Sequence, residues 1–555
     1  MKLYFLIPEH DQKSRLVYCV QVIANILGYP WKMISVVDTE CETGILISYS
    51  TDTSTFSSHR IPEINIYNSD QLYDLQSTQK DLQLFEYGGY TKPLLGKKRK
   101  VYSPDWKENK QFKYYHKSHC VVWLTEFDLF VNVFYHLSRF EEQGRRTAQE
   151  TVTDHAASIL SGNNQLNIPL VDVLISYFDQ LIRLKIIESK QVALRVMNWP
   201  GGEESGVAFT HDIDLTRGVS FKKRFWKYST AVIRKILGNR EVLTKCRMEI
   251  KQQDDLVWSY PQLLDFYHRR KWKATFFFLA KKFEGFHYRY NIKSPKFQSL
   301  FENLKSDTHE IGLHSSLNAF AHKKRYAAEK RKLEQITGIK CAGLRQHYLR
   351  ALYPGLWELA EGAHFTYDSS IGYNFQPGFR AGTSHPFLTY DWKRDQPLTL
   401  LEFPLSFFEY NVLTDSADMS SAWSIIHNII THVLQFHGLL VILLHPSNLL
   451  QPVYRELWNY LIAEVDKQRM YVDTLSGLYK WFKFKEHIEL SAEKKNNTEE
   501  TWTIKKPVGL RIFSIEIIGE ADLRIPTGVQ IDKISDHKYT INTDKSKLDL
   551  LLYRR

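Results

Sequence analysis

Four short runs in the chain bring together residue types that carry proton-transfer and metal chemistry. In GVAFTHDIDL an apolar, strand-like run ends on His211, Asp212 and Asp214. Two carboxylates one residue apart can divide two jobs, one binding a divalent cation and the other staying free as a base beside it. The same spacing also ends phosphatase and glycosyltransferase strands and plain loops, so alone it is a weak signal. HEIGLHSSLNAF places His309 before a short apolar run and His314 after it. GLRQHYLR carries Arg345, His347 and Arg350, and LLVILLHPSN ends the most apolar run of the chain on His445. A histidine at a strand end is often a satisfied structural residue, yet a buried strand that terminates in His-Pro is poor loop design unless the imidazole is wanted there. A glycine-bearing stretch from Tyr367 to Phe387 adds Asp368, Arg380 and His385, which serve equally well as turn and surface chemistry. Asp391, just beyond, is a further acid that would have to reach His445 to matter.

These runs need strands to hold them. From Gly206 to about Phe484, apolar runs (GVAFT, KATFFFLA, HEIGLH, TLLEFPL, GLLVILLH) alternate with amphipathic stretches, which predicts a parallel, helix-covered sheet or barrel. In such folds loops at the carboxyl ends of the strands project polar groups into one cleft. Ahead of this region, residues 1–127 read as a small α/β domain, and residues 128–200 as a helical bridge ending in the Pro/Gly-rich NWPGGEESG. Residues 201–485 form the expected catalytic domain. Residues 486–555 read as a polar, lysine-bearing linker near Glu493 to Lys506 and then a small β module built from LRIFSIEIIG and GVQIDKISDHKYTIN.

Composition sets outer bounds. With 555 residues, 43% hydrophobic and 24% charged, the chain is long enough for two or three cores and too apolar for disorder. The opening MKLYFLIPEHDQ is interrupted by polar residues before a signal-peptide core could form, and no run reaches the length needed to cross a bilayer. Five scattered cysteines without a CxxC pair argue against a disulfide framework and a thiolate zinc site. A cytoplasmic setting is the expectation. Much of the formal charge of +11 is local, since residues 222–251 hold ten Lys/Arg against two Glu, with Phe225, Trp226, Val232, Ile233, Ile236 and Leu237 at roughly helical spacing. That basic amphipathic segment is either a surface helix with a solvated face or a peripheral contact to a membrane or lipid phosphate. The basic residues match no nucleic-acid motif, so no nucleic-acid partner is expected.

Taken in order, the four runs resemble the polysaccharide deacetylase family (carbohydrate esterase family 4, the NodB-homology domain) over roughly residues 205–484. THDID is similar to the family's first motif in an Asp-x-Asp form, HEIGLH to the second, GLRQHY to the arginine-bearing third and ILLH to the histidine-bearing last; MYVDTLSGLYKWF is similar to the closing strand and helix. The amino-terminal region resembles the uncharacterised one found in a large subgroup of these proteins. The resemblance implies an α/β fold with a distorted (β/α) barrel, and a hydrolase acting on carbon–nitrogen bonds other than peptide bonds. It would remove acetyl groups from N-acetylated amino sugars of a glycan or of a lipid- or nucleotide-linked precursor, with a divalent metal ion, zinc by preference. It also implies Asp212 as general base, Arg345 as the group that keeps it ionised and aimed, His445 as the acid that protonates the departing amine, and Asp214 and His314 as metal ligands. The family's next ligand, four residues after His314, is here Asn318. An amide oxygen is a weaker, harder donor than imidazole, so zinc would bind less tightly there or another ion would be preferred. His309 and His322 are possible substitutes. Asn318 also supports an alternative, a catalytically inactive deacetylase-fold protein acting as a carbohydrate-binding or scaffold module, against which the joint presence of base, acid and arginine speaks.

Overall fold

The computed structural model describes residues 1–7, 13–38, 41, 44–50, 62–69, 72, 82–87, 90–95, 106–109, 112–117, 120–143, 166–214, 221–236, 244–248, 258–280, 290–322, 324–374, 376–496, 498–524, 526 and 529–554. The sequence SGNN at 161–164 and the end of the basic KPLLGKKRK stretch lie outside them.

At the centre is a mixed α/β layer around a ten-stranded sheet. Its hydrogen-bonded order is Phe387–Asp391, Gln396–Glu402, Tyr367–Asp368, Gly343–Gln346, Glu310–Ser315, Ala274–Leu279, Ser205–Ile213, Leu439–Leu444 and Phe407–Phe408, with Met470–Val472 also pairing Ser205–Ile213. All these ladders are parallel except the one between Phe387–Asp391 and Gln396–Glu402. Parallel strands covered on both faces need unbroken apolar runs, and ATFFFL and LLVILL are buried at every position. Among the described residues no ladder joins the Phe387–Asp391 edge to the Phe407–Phe408 edge, so no hydrogen-bonded closure into a barrel is formed by them.

Register matters more than outline. His314 pairs with both Leu279 and Arg345, and His211 pairs with Leu444, so Asp212, His314, Arg345 and His445 all reach the same carboxyl-end rim. The helices that hold the rim are set by local signals. Asp418 accepts from the Ser421 N–H at the start of Met419–Gln435, and Thr474 accepts from the Gly477 N–H at the start of Leu475–Glu486. Gly338 closes Arg325–Thr337 in the left-handed region (φ 70°), where a side chain would be strained.

The amino-terminal region is a seven-stranded mixed sheet, in the order Trp31–Ile34, Leu3–Leu6, Ile45–Ser50, Glu63–Tyr67, Cys120–Leu124, Phe112–Lys117, Trp106–Asn109. Its helix Lys13–Leu27 and the bridge helices Leu129–Leu137 and Leu170–Glu188 share one apolar core with the outer face of the central sheet. A second core joins inner-face residues such as Ala208, Phe277 and Val441 to Trp481, Trp502, Ile515 and Leu550 of the carboxyl-terminal part.

Two expectations change here. The polar stretch Glu493 to Lys506 is mostly strand and not linker: Glu489–Lys494 and Glu499–Lys505 pair antiparallel, and alternate residues Glu500, Trp502 and Ile504 are buried, a two-residue period that the polar Glu499, Thr501, Thr503 and Lys505 on the other face disguise. The end of the helical bridge also belongs elsewhere, because Ala193–Val196 pairs with Ile512–Ile518 as an edge of a carboxyl-terminal sheet. An ion-pair cluster ties this junction together: Arg183 and Arg195 both reach Asp179 and Glu516. The four described cysteine side chains, Cys19, Cys41, Cys246 and Cys341, are buried free thiols. No helix among the described residues is long and apolar enough to cross a membrane.

Candidate metal centre and acid-base site

Asp214 leaves the end of Ser205–Ile213 and meets two imidazoles. Its Oδ1 lies 3.1 Å from His314 Nε2 and 3.5 Å from His347 Nδ1, and those two nitrogens are 2.7 Å apart. The backbone carbonyl of Arg345 sits 3.0 Å from His314 Nδ1 and can only accept, so that nitrogen carries the hydrogen and Nε2 is turned to the cluster. Asp214, His314 and His347 thus form a group of the kind that holds a metal ion, their ligand atoms all within 4.8 Å of one another. Zinc binds imidazole nitrogen and carboxylate oxygen at about 2.0–2.2 Å, which puts two donors of a tetrahedral site roughly 3.3 Å apart. The observed separations of 2.7, 3.1 and 3.5 Å bracket that value. Asp214 Oδ1 is buried and takes no well-directed hydrogen bond, as a ligand atom awaiting a cation would. The residues therefore fit a divalent metal.

The electrostatics agree with the geometry. Burial alone would raise the Asp214 carboxyl, but the charges of His347 and His314 hold it well below the usual carboxylate range. Burial works against charge on His314 too, yet Asp212 and Asp214 outweigh it and raise its pKa. His347 is pushed down to about 4, chiefly by burial, and presents a neutral ring near pH 7.

Asp212 sits beside this cluster with a second, separate set of neighbours. Its Oδ1 is 3.7 Å from Arg345 Nη1 and its Oδ2 is 3.7 Å from His314 Nε2. Arg345 is fully buried and fixed: Nη2 donates to Ser369 Oγ (2.9 Å) and Thr210 Oγ1 (3.3 Å), and the guanidinium lies 5.0 Å from the centre of the Phe277 ring. Asp212 Oδ1 and Arg345 Nη1 are both buried without a hydrogen-bond partner. The carboxylate is thus held near positive charge while keeping lone pairs open.

Across Asp214 stands His445. Its Nε2 is 3.5 Å from Asp214 Oδ2, and its Nδ1 is 2.8 Å from Glu409 Oε1, which also accepts from the His445 backbone N–H and from Asn448 Nδ2. The carboxylate can only accept, so Nδ1 carries hydrogen and Nε2 faces the site. Burial disfavours the imidazolium, but the Glu409 charge and the hydrogen bonds to Asp214 and Glu409 raise the His445 pKa well above its ordinary value.

The structure brings together Asp212, Asp214, His314, Arg345 and His445, and adds His347 and Glu409. Asn318 is exposed and precedes the short 3-10 turn Ala319–Ala321, and His322, at the other end of that turn, is exposed as well. His309 lies at the opposite end of its strand, where Nδ1 accepts from the Ala274 N–H. His211 bonds Tyr267 Oη (2.7 Å) and stacks on Phe276, its pKa lowered to about 3 by burial. Arg380 pairs with Glu142 of the bridge, His385 Nε2 meets the Phe436 carbonyl, Arg350 lies over Phe320, and Asp391 caps its own turn through the Lys393 and Arg394 N–H groups. Asp368 neighbours Glu402 across a parallel ladder; burial raises it to about 6, with the Arg345 charge acting the other way.

His347 had a sequence signal. It lies two residues after Arg345, so strand periodicity puts both on one side. The next two residues are unusual: Tyr348 (φ 57°) and Leu349 (φ 51°) are consecutive left-handed residues without glycine, a strained turn that follows His347, the first residue beyond the strand Gly343–Gln346. Glu409 had none, because only the Phe407–Phe408 ladder to Leu439–Leu444 brings it beside His445.

Comparison with known proteins gives limited coverage. Residues 5–186 match a family of unknown function, DUF7033. No curated protein matches. Among solved structures the chain is similar to a Mycobacterium smegmatis protein assigned as a polysaccharide deacetylase (18% identity, 52% of this chain and 93% of that one, TM-score 0.34). It is also similar to a Bacillus cereus polysaccharide deacetylase (13% identity, 48% and 92%, TM-score 0.27) and to a pseudoenzyme of the CE4 family from Bacillus anthracis (10% identity, 51% and 68%, TM-score 0.28).

Proposed function

We propose that this protein is a metal-dependent hydrolase that removes acetyl groups from N-acetylated amino sugars, of a glycan or of a lipid- or nucleotide-linked precursor. The observation that carries the reading is the meeting, on one rim, of a three-donor cluster (Asp214, His314, His347), a separate arginine-held carboxylate (Asp212) and a carboxylate-held histidine (His445). Asp214, His314 and His347 would hold the ion, which when bound supplies positive charge that polarises an acetyl carbonyl and a water.

The protein's own groups then divide the proton traffic. Asp212 removes the proton from the attacking water, and Arg345, 3.7 Å from Asp212 Oδ1, keeps the carboxylate aimed. His445 gives a proton from Nε2 to the departing amine while Glu409 steadies the imidazolium through Nδ1. One group is thus poised as base and the other as acid at the same pH. Third-ligand duty falls in this reading to His347, and Asn318 is left as an exposed residue ahead of the turn Ala319–Ala321. That weakens the inactive, carbohydrate-binding alternative, which rested on Asn318 standing in the ligand position.

Acetate release from chitooligosaccharides and from nucleotide- and lipid-linked N-acetylglucosamine tests the proposal. Asp212→Asn should abolish release while metal content and fold remain. Undiminished release by that variant would remove the base from the mechanism.

A further inference from the structure

The helix Phe221–Ile236 begins just after the chain leaves the sheet at the site rim, only residues 215–220 separating it from Asp214. Its sequence FKKRFWKYSTAVIRKI holds six Lys/Arg and no acidic residue. Helical positions advance about 100° per residue, which places Trp226, Val232, Ile233 and Ile236 on one side and Ala231 on the opposite one. Among the described side chains of this helix, Ala231 is the buried one. Trp226 is 70% exposed, Ile233 55% and Ile236 78%. Among its described side chains, the helix thus rests on the protein through Ala231, with Lys227, Tyr228 and Ser229 half-buried, and turns Trp226, Val232, Ile233 and Ile236 to solvent, the reverse of an ordinary docked amphipathic helix. Neither large core includes any of these apolar residues.

A contiguous exposed patch containing tryptophan and isoleucine costs free energy in water and marks a binding surface. The charge beside it selects the partner. A run with six cations and no anion complements a sheet of phosphates, and Trp with Ile is the composition that settles at the boundary between headgroups and acyl chains.

We propose that Phe221–Ile236 docks the protein on an anionic lipid bilayer, with Trp226, Ile233 and Ile236 inserted at the headgroup boundary and the helix cations against lipid phosphate. Because the helix comes directly after the strand that ends in Asp212 and Asp214, docking holds the site rim close to the membrane surface. Taken together with the hydrolase reading, on which this clause rests, it selects a lipid-linked amino sugar over a nucleotide-linked one.

The test is flotation of the full-length protein with phosphatidylcholine/phosphatidylglycerol vesicles and with pure phosphatidylcholine vesicles, comparing wild type with the triple variant W226D/I233D/I236D. Wild type should float with the anionic vesicles only, less so as salt is raised. The triple variant should lose about tenfold or more of that binding at an unchanged thermal midpoint and far-ultraviolet spectrum. No flotation of wild type, equal flotation of the variant, or a patch-dependent dimer in sedimentation without vesicle binding would each overturn the proposal. Acetate release from soluble chitooligosaccharides and from lipid-linked N-acetylglucosamine is measured in parallel. Flotation without hydrolysis defeats only the hydrolase reading, and hydrolysis without flotation defeats only this one.

Discussion

Replacing His347 by alanine is the sharpest perturbation of the site. Three donors separated by 2.7, 3.1 and 3.5 Å lie within about 0.6 Å of the spacing of a tetrahedral site, so binding demands only small shifts of these side chains, largest between the two imidazoles. Without His347, the ion keeps Asp214 and His314 and must fill the place with water. Loss of an outer partner that merely orients a ligand costs roughly 10–100-fold in metal affinity. Loss of the ligand itself should cost at least the upper figure, about 3 kcal/mol. Metal content by mass spectrometry, after dialysis against a weak chelator, should fall from about one equivalent to a small fraction in His347→Ala. Titration calorimetry with zinc should give the affinity change directly. Asn318→Ala, exposed beyond the cluster, should bind within about twofold of wild type. The reverse pattern, metal kept by His347→Ala and lost by Asn318→Ala, would refute the assignment and return the ligand to the amide. Proton linkage adds a check. Asp212 and Asp214 raise the His314 pKa, so the ion competes with a proton there, and zinc affinity should rise with pH through and above the ordinary imidazole range.

The same contacts set further expectations. Asp212→Asn should lower kcat for acetate release by roughly 10²–10⁴-fold, the usual span for a positioned base, with KM and metal content nearly unchanged. Glu409→Gln removes a charge that raises the His445 pKa, so the alkaline limb of the pH–rate profile should move to lower pH; an unmoved limb would separate Glu409 from the acid. Glu516 is held at about 2, burial opposing and Arg195 and Arg183 lowering it, against an ordinary value of 4.5. A depressed carboxyl stabilises the fold above its unfolded pKa and loses that contribution as pH falls through the folded one. Glu516→Gln should therefore cost on the order of 3 kcal/mol in urea unfolding near pH 7, shrinking between about pH 4.5 and 2; a cost independent of pH would assign the effect to packing.

The central sheet was legible because parallel strands buried on both faces leave a mark that local sequence carries whole, as in ATFFFL and LLVILL. The carboxyl-terminal sheets were only half legible. LRIFSIEIIG announces a strand, but Glu489–Lys494 exposes most of its residues and reads as linker until its partner Glu499–Lys505 is known. The position of Ala193–Val196 was illegible for a related reason, since its ladder partner lies more than 300 residues later.

At the site, the sequence marked Asp212, Asp214, His314, Arg345 and His445 as candidates, because strand ends that finish on polar residues are local features and four such runs in order resemble the polysaccharide deacetylase motifs. It also marked Phe221–Ile236 as basic and amphipathic. Tertiary structure decided the rest. The left-handed turn at Tyr348 and Leu349 follows His347, the first residue beyond the strand Gly343–Gln346, and His347 faces His314, while Asn318 lies on an exposed turn. Register beside Leu439–Leu444 delivers Glu409 to His445. Which face of Phe221–Ile236 meets water was likewise a matter of packing. Each of these depends on distances between groups far apart in the chain, and hydrophobic period and turn chemistry report only on neighbours.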